Sequence, residues 1–268
     1  MPQKNLHVTL VQSDLRWEYT PANLEMFTRK IDTVSKTDLI ILPEMFSTGF
    51  SMNTEKLAEE MSGTAVEWMK KTSAEKQCAV CGSIMIHERN EFFNRLVWMQ
   101  ANGEYEVYDK RHLFSLSNEP EVYTAGKEKL LVGLMGWKIC PLVCYDLRFP
   151  VWSRNTRSDT YDLLIYVANW PERRNHAWKS LLVARAIENQ SFVAGVNRVG
   201  NDGNGIYHSG DSMIIDAMGK TLYHVENRED IFTIELSAEA LNDTRKNLPF
   251  LKDADDFVMN EKAKIKSH

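Results

Sequence analysis

Apolar residues along the chain fall into short runs of two kinds, and the spacing within each predicts an element. Leu6, Val8, Leu10 and Gln12 alternate with His7, Thr9 and Val11, the period of two expected of a first strand over 6–12. Leu24, Phe27, Ile31 and Val34 then recur at spacings of three, four and three, which puts them on one face of a helix. Thr20 is placed to cap that helix and Pro21 suits its first position. Residues 39–42 are apolar at every position and too few for a helix, so they predict a strand covered on both faces that ends at Pro43-Glu44. Thr64 and Glu67 predict a capping box ahead of a helix to about Glu75, followed by a buried strand over 79–86.

The middle of the chain reads differently. Segments 95–100 and 104–108 flank Asn102-Gly103, which predicts a hairpin whose two turn residues both take positive φ, with Lys110 just after it. Residues 137–143 predict a strand running into Cys144, and Pro141 inside it predicts an edge position or a bulge. A strand over 162–168 precedes a helix over 175–189 with Trp178, Leu181, Leu182 and Ala186 inward. Strands over 192–197, 212–216 and 231–236 follow, interrupted by the turn-rich stretch 201–205. Helices alternate with strands early and hairpins enter later, so the fold class is α/β with mixed sheets. Neither repeat nor linker divides the pattern, so one domain over 1–268 is expected. Roughly the last 30 residues, with Lys246, Lys252 and 253–256, read as an extended, exposed arm.

Composition narrows the class. The 268 residues are 43% hydrophobic and 26% charged, too apolar for a disordered chain. Thirty-two Lys plus Arg against 37 Asp plus Glu leave a net charge of −5, so no basic face is implied and nucleic acid is not expected as a partner. No apolar run approaches the roughly 20 residues that span a bilayer. The opening Met-Pro-Gln-Lys-Asn lacks the apolar core of a secretory leader, and a cytoplasmic location without membrane contact is expected. Four cysteines are too few for a disulfide scaffold. Cys78-x-x-Cys81 has metal-like spacing but lies in an apolar strand run, Cys140 and Cys144 are spaced wrongly, and 202–205 lacks the ligands of a calcium loop. Neither metal nor cofactor is expected.

Three polar residues stand where apolar strands end: Glu44, Lys110 and Cys144. Strand ends are where α/β sheets hold ligands. A cysteine leaving a buried strand and followed at once by Tyr145-Asp146-Leu147-Arg148 sits on a sharp turn that exposes its sulfur. Its thiol needs a neighbouring base or cation to attack at neutral pH, and Glu44 and Lys110 supply one of each. Singly, each has a plainer reading: a small buried hydrophobe, a loop acid, a solvated lysine. His112 and His176 lie near these motifs, but Glu44 already serves as base, so both read as structural hydrogen bonders.

Read with their contexts, Leu-Pro-Glu44-Met-Phe, Tyr-Asp-Lys110-Arg-His-Leu-Phe and Val-Cys144-Tyr-Asp-Leu-Arg-Phe-Pro, these residues give a chain that resembles the nitrilase, or carbon–nitrogen hydrolase, superfamily. Segments 168–171, 184–189 and 210–212 extend the resemblance over nearly the whole chain. It implies a four-layer α-β-β-α sandwich that commonly dimerises, and a second glutamate near the lysine, here Glu119 ahead of Gly126. Segments 45–52, 145–154 and 197–205 are most similar to bacterial omega-amidases. That similarity implies metal-independent hydrolysis of the terminal amide of 2-oxo dicarboxylic monoamides, 2-oxoglutaramate or 2-oxosuccinamate, through a cysteine thioester. A nitrilase, an aliphatic or N-carbamoyl amidase, and a catalytically silent binding protein are the alternatives.

In this chemistry Cys144 attacks, Glu44 carries the proton, and Lys110 with the Tyr145 backbone N–H stabilises the oxyanion. Glu119 orients Lys110 or the amide nitrogen. The far carboxylate of such a substrate calls for a guanidinium. Arg148 leads, with an ion pair to Asp146 as its other reading, and Arg173 and Arg174 compete. Trp170 and Phe50 are candidate pocket walls.

Overall fold

Two mixed sheets carry the chain, and the alternation of side chains along their strands decides what lies between them. In the computed structural model, which describes residues 1–156, 160–255 and 257, the strands are β1 (Leu6–Gln12), β2 (Leu39–Ile41), β3 (Ala79–Glu88), β4 (Glu91–Met99), β5 (Tyr105–Asp109), β6 (Val132–Leu134), β7 (Trp137–Val143), β8 (Leu163–Ala168), β9 (Phe192–Asn197), β10 (Val199–Asn201), β11 (Tyr207–Ile215), β12 (Thr221–Glu226) and β13 (Asp230–Leu236). The first sheet runs β13-β1-β2-β3-β4-β5, and the second β10-β11-β9-β8-β7-β6 with β12 also on β11. β1, β2 and β3 are parallel to one another, as are β7, β8 and β9, while hairpin partners add antiparallel strands outside them.

Leu6, Val8, Leu10, Ile41 and Trp98 of the first sheet share one buried cluster with Leu142, Leu163, Ile165 and Val196 of the second. On the outer side of the first sheet, Leu24, Phe27 and Ile31 of the helix Thr20–Asp32 and Val66 and Met69 of the helix Thr64–Lys76 form a separate cluster with Val11, Ile40 and Val80. Trp178, Leu182 and Ala186 of the helix Asn175–Asn189 cover the second sheet. The layers are thus helix, sheet, sheet, helix, as expected. Each fully buried aliphatic or aromatic side chain contributes about 1.5–3 kcal/mol. Gly195 lets the helix Asn175–Asn189 approach its sheet, because a Cβ there would sit 2.5 Å from Leu182 Cδ1.

Several local expectations give way. Thr20 is the first helical residue and caps nothing, and Val34 lies beyond the helix although it stays buried. At the Asn102-Gly103 turn only Gly103 takes positive φ, 84°, because Gly103 N–H bonds Gln100 O at 2.9 Å and Gln100 N–H bonds Glu104 O at 2.8 Å, a longer loop than a two-residue hairpin needs. Pro141 costs β7 nothing: β6 pairs only with Trp137 to Ile139, so the strand is unpaired on that side at the proline and no bulge is required. The short strands β6, β10 and β12 were not expected. The final segment begins as the helix Ala238–Asn247, tied down by Arg245 to Asp162 at 2.5 Å, whereas an exposed arm was expected. Asp256 and 258–268 fall outside the described residues. No helix among the described residues is long and apolar enough to cross a membrane.

The capping box at Thr64 and Glu67 is absent. Glu59 takes its place, accepting the backbone N–H of Ala65 at 2.9 Å and of Val66 at 3.3 Å while its stem lies against Gly63. Glu59→Ala is therefore expected to cost about 1 kcal/mol of stability in denaturant unfolding, and Glu67→Ala, on an exposed side chain, less than half of that.

Candidate active site

The four residues with predicted chemical roles meet at the ends of the two sheets. Glu44 follows β2, Lys110 continues β5, Cys144 follows β7, and Glu119 opens the short helix Glu119–Val122. Lys110 Nζ donates to Glu44 Oε1 at 3.0 Å and to both Glu119 carboxylate oxygens at 2.9 Å. All three side chains are at most 1% exposed. The Cys144 thiol lies close enough to the Glu44 carboxylate and the Asn169 backbone N–H for both to act on its ionisation.

Sharp backbone turns aim three of these groups. Met45, directly after Glu44, has φ 43°, Asn118, directly before Glu119, has φ 58°, and Cys144 itself has φ 42°. Left-handed backbone outside glycine costs on the order of 1–3 kcal/mol and persists where the surroundings enforce it. At Cys144 the enforcing residue is Asp146. Its Oδ2 accepts Val143 N–H at 3.0 Å and Tyr108 Oη–H at 2.7 Å, and its Oδ1 accepts His112 N–H at 3.0 Å. At Met45, the N–H is held by Ser83 Oγ at 2.9 Å.

Electrostatics follow from burial. Burial pulls the Lys110 ammonium down, but the charges of Glu119 and Glu44 outweigh it and hold the group firmly protonated. Burial, and then Glu44, push Glu119 above the ordinary carboxylate range against the pull of Lys110. Burial and the Glu44 charge push the Cys144 thiol well up, more than Lys110 pulls it down. Both influences favour the protonated thiol at Cys144, beside the Glu44 carboxylate.

A cavity of about 550 Å³ opens over the sulfur, lined among others by Glu44, Lys110, Cys144 and Tyr145. Phe50, Arg148, Trp170, Arg173 and Arg174 also line it, so each predicted binding residue reaches the same space. Phe50 lies with its ring 5.0 Å from Lys110 Nζ. Trp170 is fixed by its N–H to Asn197 Oδ1 at 2.8 Å, and the Arg148 guanidinium rests 4.9 Å from its ring. No carboxylate among the described residues pairs with Arg148, Arg173 or Arg174. The alternative partner for Arg148, Asp146, is already taken by Tyr108, His112 and Val143. Burial, with Arg173 and Arg148 nearby, depresses the Arg174 guanidinium.

Four contributors escaped the sequence reading. Asn94 donates to Glu44 Oε1 at 2.8 Å and to Glu119 Oε1 at 3.2 Å, and Asn169 N–H donates to Glu44 Oε2 at 2.8 Å. Asp146 holds the cysteine turn, and Phe114 N–H holds Glu119. Asn169, Asp146 and Phe114 all stand in recognised segments, though without an assigned role, and only Asn94 lay outside them. His112 stacks on Phe149 at 3.8 Å and binds Asp146, a structural role, and neither it nor His176 lines the cavity. All four cysteines are buried thiols, Cys78 and Cys81 point into different clusters, and burial pushes Cys78 up to about 12. Asp211, His224 and Glu226 form a group close enough to hold a metal ion, but Asp211 is already bound by Lys179 at 3.1 Å and by Ser209 and Asn175.

Comparison with known proteins places the geometry among relatives. A family model described as carbon–nitrogen hydrolase matches residues 7–246. The omega-amidase YafV of Escherichia coli is 43% identical over 94% of this chain and 98% of its own. The 2-oxoglutaramate amidase of Bacillus subtilis is 33% identical over 92% of this chain and 96% of its own. A crystal structure from Xanthomonas campestris, a CN-hydrolase superfamily protein with an arsenic adduct in its active site, superposes with TM-score 0.94 at 42% identity, covering 96% of this chain and all of that one.

Proposed function

This chain belongs to the carbon–nitrogen hydrolase family, and within that family we propose an omega-amidase that hydrolyses the terminal amide of 2-oxo dicarboxylic monoamides such as 2-oxoglutaramate. The observation that carries the reading is the pairing of a buried thiol–carboxylate unit with three unpaired guanidiniums around one cavity. A substrate with an amide at one end and a carboxylate at the other matches both features.

Cys144 Sγ attacks the amide carbon as Glu44 takes the thiol proton, forming the C–S bond. The oxyanion is stabilised by the Lys110 ammonium and the Tyr145 N–H, donors worth about 2.7–4 kcal/mol each where similar ones have been removed. Glu44 returns the proton to the nitrogen, the C–N bond breaks and ammonia leaves. Glu44 then takes a proton from water, which attacks the thioester, and the C–S bond breaks to give the 2-oxo acid and the thiol. Glu119 fixes Lys110. Arg148, over the Trp170 ring, clamps the far carboxylate, and Phe50 and Trp170 form the walls with Arg173 and Arg174.

We further propose one domain over 1–268 working in the cytoplasm, where its thiols stay reduced, and self-associating through exposed apolar residues such as Ile187, which lies against the Gly219 turn that carries exposed Met218.

Arg148→Lys tests the clamp. A point charge replaces a planar fork, so KM for 2-oxoglutaramate is expected to rise about tenfold while KM for a neutral aliphatic amide moves less than about twofold. Equal changes for both substrates overturn the assignment of Arg148.

A further inference from the structure

We infer that Asn94 is a positioning residue that holds the two active-site carboxylates in their working arrangement through a donor shared between them. The inference rests on Glu44 acting as the base. Glu44 and Glu119 are both fully buried, and a single ammonium, Lys110, lies between them. Two carboxylates around one cation repel each other, and in that setting one of them takes up a proton unless further donors share the charge. Asn94 Nδ2 supplies that donor, 2.8 Å from Glu44 Oε1 and 3.2 Å from Glu119 Oε1, two of the three oxygens that Lys110 binds.

Register explains why this residue is in reach. Arg95 of β4 pairs with Asp109 of β5, and the ladder continues one step, with Lys110 N–H bonding Asn94 O at 3.0 Å. Asn94 and Lys110 are therefore cross-strand neighbours, and neighbours of this kind present their side chains on one face. Alternation along β4 puts Asn94 on the face of Leu96 and Trp98, which lie in the cluster between the sheets.

The amide orientation is dictated chemically. Turned the other way, its oxygen would meet two carboxylate oxygens, and acceptors facing acceptors repel. As placed, Oδ1 is buried with no hydrogen-bond partner. Its donor end thus serves the two carboxylates.

The experiment compares kcat and KM against pH for Asn94→Leu, Asn94→Asp and Asn94→Ser, with Glu44→Gln as control. Asn94→Leu removes the donor at similar volume. It is expected to lower kcat about tenfold at neutral pH, leave KM within about twofold, and move the acidic limb of the kcat profile up by about one pH unit. Asn94→Asp adds a third carboxylate and is expected to move the limb further, whereas Asn94→Ser, which still donates, keeps it near the parent position. An Asn94→Leu or Asn94→Asp variant that folds and keeps the parental acidic limb overturns the role of Asn94. If Asn94→Leu fails to fold, the Asp and Ser pair decides by the same criterion. A Glu44→Gln enzyme that keeps its kcat overturns the base assignment instead, so the two failures are distinguishable.

Discussion

Cys144→Ala will release no measurable ammonia from 2-oxoglutaramate and will still fold. The sulfur forms the only covalent bond to substrate in the proposed cycle, and removing a nucleophile that acts with a base costs at least about 10³-fold in kcat. Lys110 cannot substitute, because it is held protonated by two carboxylates and offers no free amine pair to attack. The stability change is expected within about 1 kcal/mol, since one sulfur atom is lost from a side chain that borders the cavity and the turn remains pinned by Asp146. Ammonia release and thermal unfolding, measured side by side, check both halves. Turnover in a folded Cys144→Ala protein removes the nucleophile from the scheme.

Lys110→Met carries the second large effect, on the fold as well as on the chemistry. It strands two fully buried carboxylates without their common cation, and breaking a buried ion pair from one side costs about 3–5 kcal/mol, a fall in Tm on the order of 10 °C for a chain of this size. The pH dependence has a definite sign. Glu119 already lies above the ordinary carboxylate range, mainly through burial, and losing Lys110 removes the influence that lowers it, so it rises further. A carboxyl raised in the folded state favours folding when protonated, so that contribution is full below its unfolded value and is lost as pH rises through the folded one. The deficit of Lys110→Met relative to the parent is therefore smaller at pH 5 than at pH 8. Thermal unfolding at the two values decides: a deficit that does not change with pH, or that grows on acidification, contradicts the buried-pair account. Activity is expected to fall with the loss of the oxyanion donor at every pH.

Much of this arrangement was legible because the decisive residues stand at boundaries. The runs before Glu44 and Cys144 are apolar at nearly every position, which identifies strands covered on both sides and marks the first polar residue after each as emerging at a sheet end. The helix over 175–189 declares itself by spacing alone, and its bounds agree with the structure. Asn94 gave no such sign. It lies inside β4, in a stretch where the reading began one residue later at Arg95, and nothing local says which strand position faces the second sheet. Asp146 and Phe114 act through the backbone, an effect that depends on the turn already having formed. Caps failed for the same reason: Thr64 and Glu67 satisfy a local rule, yet Glu59, from an extended stretch bridged to Ile86, reaches the helix end first. The strands β6 and β10 are three residues long and exist by pairing with β7 and β11, information that a window of sequence does not hold.

Glu44, Asn94 and Lys110 are carried by one sheet, Cys144 and Asn169 by the other. A polypeptide in which only one of these sheets has formed therefore owns an ordinary cysteine with neither base nor cation beside it. Docking of the two sheets is thus the step that completes the catalytic set.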